Sequence, residues 1–172
     1  QGLILGGLIQ VISTTDGVFS GGPFYWLTPF SIMCGIGLMV GYALLGAGFL
    51  IIKTEVPVQE RSRKQAVYLL GGLLVFITIV SIWTPLQEAH IAERWFSFPN
   101  LLYFSPVPIL TALCAYECYR AIKAGDEIKP FVMSIGLFFL AYSGLAISKF
   151  PYLVPPPGDG PGLDVWQTAA AP

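Results

Sequence analysis

Only a few side chains in this sequence could carry chemistry, and their spacing narrows what that chemistry could be. His90 is the one histidine, so no axial pair for haem and no histidine-built metal site can be assembled around it. Cys34, Cys114 and Cys118 all lie in apolar runs. Cys114 and Cys118 stand one helical turn apart, and two thiols alone make a poor zinc site, so all three read as buried free cysteines. Met33, Met39 and Met133 offer thioethers, yet scattered methionines in apolar helices pack more often than they ligate. Glu117 is the most informative acid, set among Tyr116, Cys118 and Tyr119 and one turn before Arg120. An ionisable group inside an apolar helix is a candidate for a proton path or a partner contact. The competing reading is an interfacial Glu117–Arg120 pair at i,i+3 spacing. Lys53 and Glu55 close an apolar run, where they could neutralise each other, dock a partner's charged loop or simply reach headgroups. No Gly-rich phosphate loop, Ser-His-Asp set, His/Cys metal spacing or same-helix carboxylate pair is present, so no catalytic, cofactor-binding or metal-ligating residue is assigned.

The elements that must position these groups are apolar. The chain is 55% hydrophobic and 11% charged, against about 25% charged in an ordinary soluble domain. Its mean hydropathy is +0.70. A formal net charge of −1 gives no reason to expect a nucleic acid partner. The stretch from Leu27 to Ile52 contains no charged residue, and about 20 apolar residues suffice to cross a bilayer core. The expected fold is all-α, a polytopic membrane bundle of four spanning helices over about 27–53, 65–84, 100–122 and 128–149. Residues 1–172 then form a single membrane domain, a fragment of a longer chain. In it 1–12 is the end of a truncated helix, 27–149 the bundle and 150–172 an irregular Pro/Gly-rich tail. A charged link is expected over 54–64, Pro85 should end the second span, and Pro106 and Pro108 should kink or break the third. Cys34, Gly37, Gly41 and Gly48 mark one side of the first span, and Gly37-x-x-x-Gly41 predicts a close helix–helix contact. Lys53, Arg61, Arg63, Lys64, Arg120, Lys123 and Lys129 gather in the first and third links and their flanks, which the positive-inside rule puts in the cytoplasm. Asp16, His90 and the tail then face outward.

Four stretches resemble subunit II of the cytochrome bd-type quinol oxidases. YWLTPFSIMCGIGLMVGYALLGAGFLIIKTE at 25–55 looks like the family's fifth membrane helix. RWFSFPNLLYFSPVPIL at 94–110, FVMSIGLFFLAYSGLAISKFPYLVPP at 131–156 and LDVWQTAAAP at 163–172 are similar to later parts of it, in the same order. Gly41-Tyr42-Ala43-Leu44-Leu45-Gly46 resembles the cyanide-insensitive branch, other members tending to have a histidine near Tyr42. The sequence departs from the family in lacking its first half, with the GFDLG-type motif, and its last spanning helix. Val56 also stands where the family's KTEG motif has glycine.

The resemblance implies a haem-free subunit that stabilises a haem-bearing subunit I and possibly lines a proton route, in a complex that oxidises membrane quinol and reduces O2 to water. It implies haems b and d in that partner, none in this chain, a membrane quinone as cosubstrate, and a multi-pass place in the bacterial cytoplasmic (inner) membrane. It transfers no catalytic residue. Glu117, Lys53 and Glu55 stay candidates for a proton path or a subunit contact, and Gly37, Gly41 and Gly48 for helix packing. The rival reading is part of a helical transporter, with Glu117 and the broken third helix shaping a midplane site.

Overall fold

In the computed structural model, residues 1–9, 14–15, 18–19, 22–87, 95, 97, 100–150, 152–154, 163–164 and 166 are described. Their order is α1 (Gly2–Ile9), β1 (Thr14–Thr15), β2 (Val18–Phe19), α2 (Pro29–Lys53), α3 (Val58–Gln87), α4 (Asn100–Phe104), α5 (Pro106–Ala124), α6 (Lys129–Lys149), β3 (Tyr152–Val154) and β4 (Leu163–Asp164). The strands are two minimal antiparallel pairs, β1 with β2 and β3 with β4, so the architecture is a helical bundle. The expected irregular tail thus contains a short ladder. Asp16, His90 and Arg94 lie outside the described residues.

Among the described residues three helices are long and apolar enough to cross a membrane, Pro29–Lys53, Val58–Leu86 and Lys129–Ser148. The protein is a multi-pass membrane protein. The expected third span, 100–122, is two helices broken at Ser105. Pro106 and Pro108 have no N–H to continue the ladder from α4, while in the first turn of α5 that missing donor is harmless.

Helix α2 starts where its cap dictates. Thr28 accepts from the Ser31 N–H at 3.1 Å, Ser31 Oγ accepts from the Thr28 N–H at 2.9 Å, and Pro29 takes the first helical position. Helix α3 differs from expectation at both ends. It begins at Val58, so the link shrinks to 54–57, because Gln59 to Gln65 are good helix formers and a helix need not stop where lipid does. It also runs on through Pro85 to Gln87. Hydroxyls within the helices bond back to their own backbone: Thr78 to Leu74, Thr84 to Val80, Thr111 to Val107, Ser134 to Pro130, Ser143 to Phe139 and Ser148 to Gly144, each 2.7–2.8 Å. Polar side chains are thereby satisfied without water.

α2 is central. It packs against α1, α3 and α6, while α5 packs on α6 and α3. The buried core gathers Leu44, Ala47 and Ile51 of α2, Ala66, Leu70 and Leu73 of α3, Ala115, Cys118 and Ile122 of α5, and Leu137 of α6. Glycines set the approach distances. A Cβ on Gly41 would stand 2.6 Å from the Phe138 ring, one on Gly37 would stand 3.2 Å from Phe76, and one on Gly48 would stand 3.1 Å from the Phe131 Cα. So Gly37 and Gly41 receive phenylalanine side chains, and at Gly48 the helices close backbone to side. The tightest approach lies elsewhere. A Cβ on Gly6 would meet the Ser31 Cα at 2.4 Å, and one on Gly2 would meet the Gly35 Cα at 2.7 Å. Gly2-x-x-x-Gly6 is the small-residue seam of α1 on α2.

Gly6→Ala therefore has to push α1 off α2, and should destabilise by about 1–3 kcal/mol. Gly46, with open space around its missing Cβ, is the control: Gly46→Ala should be neutral or stabilising by up to about 1 kcal/mol. Thermal unfolding of both variants in detergent checks the pair.

Candidate functional site

The polar end of the bundle is built from helix termini. Helix α5 ends at Gly125 with φ +82°, a left-handed turn that suits glycine. The Asp126 N–H closes back on the Ala121 carbonyl at 3.0 Å, the six-to-one bond of a Schellman turn. The Gly125 and Asp126 carbonyls are then free to turn toward α3. Arg63 takes both: its Nη2 donates to the Gly125 carbonyl at 2.8 Å and its Nη1 to the Asp126 carbonyl at 2.7 Å. Gln59, one turn earlier, donates at 2.8 Å to the Ile51 carbonyl, one of the last four that α2 leaves without a helical partner. Its Nε2 also reaches Glu127 Oε1 at 3.3 Å. Two side chains from the first turns of α3 thus tie the 54–57 link to the 125–128 link. Both links, and the seven cations in and around them, are at one end.

The ion pairs among the described residues sit at this same end. Arg120 Nη1 lies 3.1 Å from Glu117 Oε1, and both side chains are at least half exposed. Lys129 Nζ lies 3.0 Å from Asp126 Oδ2. Lys123 snorkels over the Tyr119 ring at 5.8 Å. The hydrogen bond from the Lys129 side chain, helped by the Lys129 N–H donating to Asp126 Oδ1 at 3.3 Å, holds the Asp126 carboxyl below the usual carboxylate range.

The sequence candidates are not drawn into one site. Glu117 pairs with Arg120, while Lys53 and Glu55 are exposed and share no ion pair among the described residues. No hydrogen bond there joins Glu117 to either of them. Arg63, Gln59, Gly2 and Gly6 were missed by sequence reasoning. Gly2-x-x-x-Gly6 could have been found by the pattern applied to residues 37 and 41. Arg63 could not, since neither its partner carbonyls nor the start of α3 are legible as a motif.

Cys114 and Cys118 face the first turns of α6. The Cys114 thiol donates to the Met133 carbonyl at 3.2 Å and lies 3.8 Å from Met133 Sδ. Cys118 lies 3.6 Å from the Pro130 carbonyl and 3.9 Å from Ser134 Oγ. Cys34 is on α2, away from both. No group of three or more His, Cys, Asp or Glu among the described residues could hold a metal ion. Nor do the described residues bring two axial haem donors together: Met133 faces Cys114, and Met39 is exposed on α2.

Arg63→Ala should cost about 1–2 kcal/mol, the low end for two hydrogen bonds from a charged donor at a partly exposed site. Arg63→Lys should recover less than half, since an ammonium cannot fork to two carbonyls. Unfolding in detergent measures both. Asp126 gives a pH test. Its lowered carboxyl adds stability that is complete above the ordinary carboxylate range and is lost as pH falls through the lowered value. The stability difference between wild type and Asp126→Asn should therefore be constant near neutrality and shrink only on the acid side.

Comparison with known proteins fits this geometry. No curated protein matches the chain. The family model of cytochrome bd terminal oxidase subunit II matches residues 1–172. With a helical membrane bundle under that match, the chain belongs to the cytochrome bd terminal oxidase subunit II family.

Proposed function

We propose that this chain works as the haem-free subunit of a quinol oxidase in a bacterial cytoplasmic membrane, bracing a haem-bearing subunit I while quinol is oxidised and O2 is reduced to water. The observation that carries this reading is the family match over the whole chain. The bundle supports it. Large apolar side chains stand exposed on its spanning helices, among them Met39 at 71%, Tyr68 at 82% and Phe139 at 72%. In water such surface would be costly, while lipid and a partner's helices accept it. The family match also favours this reading over a transporter.

The end carrying the 54–57 and 125–128 links faces the cytoplasm by the positive-inside rule. There Glu117, Lys53 and Glu55 serve as contacts to subunit I at headgroup level. For Glu117 the exposed pair with Arg120 supports a contact over a proton route, because a carboxylate neutralised at 3.1 Å is a poor carrier.

The test is recovery of the tagged chain from detergent-solubilised membranes. It should bring down a larger haem-containing subunit in equal amount, with quinol oxidase activity, and show no haem absorption once separated. A haem spectrum that stays with the separated chain overturns the reading, as does an equimolar partner without haem. In the intact complex Glu117→Gln should leave turnover within about twofold, since an exposed pair contributes about 1 kcal/mol at most. A loss above about tenfold with the complex still assembled would assign Glu117 to a proton route instead.

A further inference from the structure

Three of the six sulfur atoms in this chain converge on one helix pair. The sequence has three cysteines and three methionines; Cys114 and Met133 meet between α5 and α6, while Cys118 lies against Pro130 and Ser134 of α6. Cys114 Sγ and Met133 Sδ are 3.8 Å apart. That is the separation at which one soft ion can bridge two sulfurs, each bond being about as long as a metal–thiolate bond of roughly 2.3 Å. Cys118 stands one turn further along α5 and faces the same side of α6. Gly136 lets the Cys114 sulfur seat against α6, since a Cβ there would press on Cys114 Sγ at 3.0 Å. We propose that Cys114 and Met133 form a binding site for a soft monovalent cation, Cu(I), that pins α5 to α6.

The donor set selects the ion. Thiolate and thioether sulfur suit Cu(I), whereas zinc closes four positions with thiolate, imidazole or carboxylate and finds neither the number nor the types here. Charge agrees. Cu(I) takes the place of the Cys114 thiol proton, the proton is released, and thiolate plus ion is neutral, so no net charge is left among apolar helices. A divalent ion on the same pair would leave a full positive charge there. No change of oxidation state is involved, and the site does not depend on the oxidase reading.

The test uses the intact membrane complex in detergent, titrated anaerobically with Cu(I) against a coloured Cu(I) chelator. Wild type should retain one Cu(I) per copy of this chain more than Cys114→Ser does. Met133→Leu should weaken that ion at least tenfold, and Cys34→Ser not at all. Bound Cu(I) should also raise the unfolding temperature of wild type and not of Cys114→Ser. Equal retention by wild type and Cys114→Ser overturns the proposal, and so does loss of the ion in Cys34→Ser. Should the cysteine variants fail to assemble, X-ray absorption at copper decides between wild type and Met133→Leu, whose core volume is nearly unchanged. One sulfur fewer in Met133→Leu supports the site, and identical coordination overturns it.

Discussion

Helix α2 has no charged side chain before Lys53, so inside a membrane only shape can hold its neighbours. Lipid tails are as apolar as leucine, and burying an apolar face against another helix gains little that lipid does not already give. What remains is dispersion between closely fitted surfaces, which falls away within an ångström of separation. That is why the small residues of α2 matter more than its large ones. Gly37 and Gly41 receive Phe76 and Phe138, while Ser31 and Gly35 receive the backbone of α1 at Gly6 and Gly2. Three neighbours dock on one rod because it is thin where they touch it.

Shape alone leaves the register of the two hairpins open, and the polar end supplies it. Helices α2 and α3 end in the 54–57 link, and α5 and α6 meet in the 125–128 link. The carbonyls at the ends of α2 and α5 need partners. Gln59 serves one set and Arg63 the other, so a single turn of α3 fixes both links against each other. The buried core clusters in the half of the bundle nearest this latch, from Leu44 to Ile51 and from Ala115 to Ile122. Toward the opposite end lie the seam of α1 on α2 at Ser31 and Gly35 and aromatic contacts, Phe30 edge-on to Trp83, with Trp95 bonded to Ser148.

Much of the architecture could be read from composition. A charge-free run longer than a bilayer is thick has few folds open to it, and the spans over residues 29–53 and 129–148 follow from that. The break near Pro106 follows from proline's missing donor. The errors share one cause. Charge was taken to end a helix, so Val58–Lys64 was read as link, yet Gln, Glu, Arg and Lys favour helix once lipid no longer forbids them. Pro85 is expected to end the same helix, which instead runs on to Gln87. Side-chain contacts across the links, such as Arg63 on two carbonyls, carry no period and no motif, and only the folded chain reveals them.

The charges of α5 follow one another toward its C-terminal end. Glu117 is seven residues before the end of α5, roughly 10 Å along its axis. Alone at that depth a carboxylate would be expensive. It is not alone: Arg120 stands one turn nearer the end, and Lys123 one turn beyond that, laid over Tyr119. The three form a ladder in which each charge is closer to water than the last. Such a ladder lets the helix end dip without stranding a charge, and it draws Glu117 toward the headgroups and away from the midplane. An acid poised to carry protons would need the reverse arrangement, isolation from fixed cations and a partner deeper in the bundle. On α5 the deeper neighbour one turn before Glu117 is Cys114, which faces Met133 of α6.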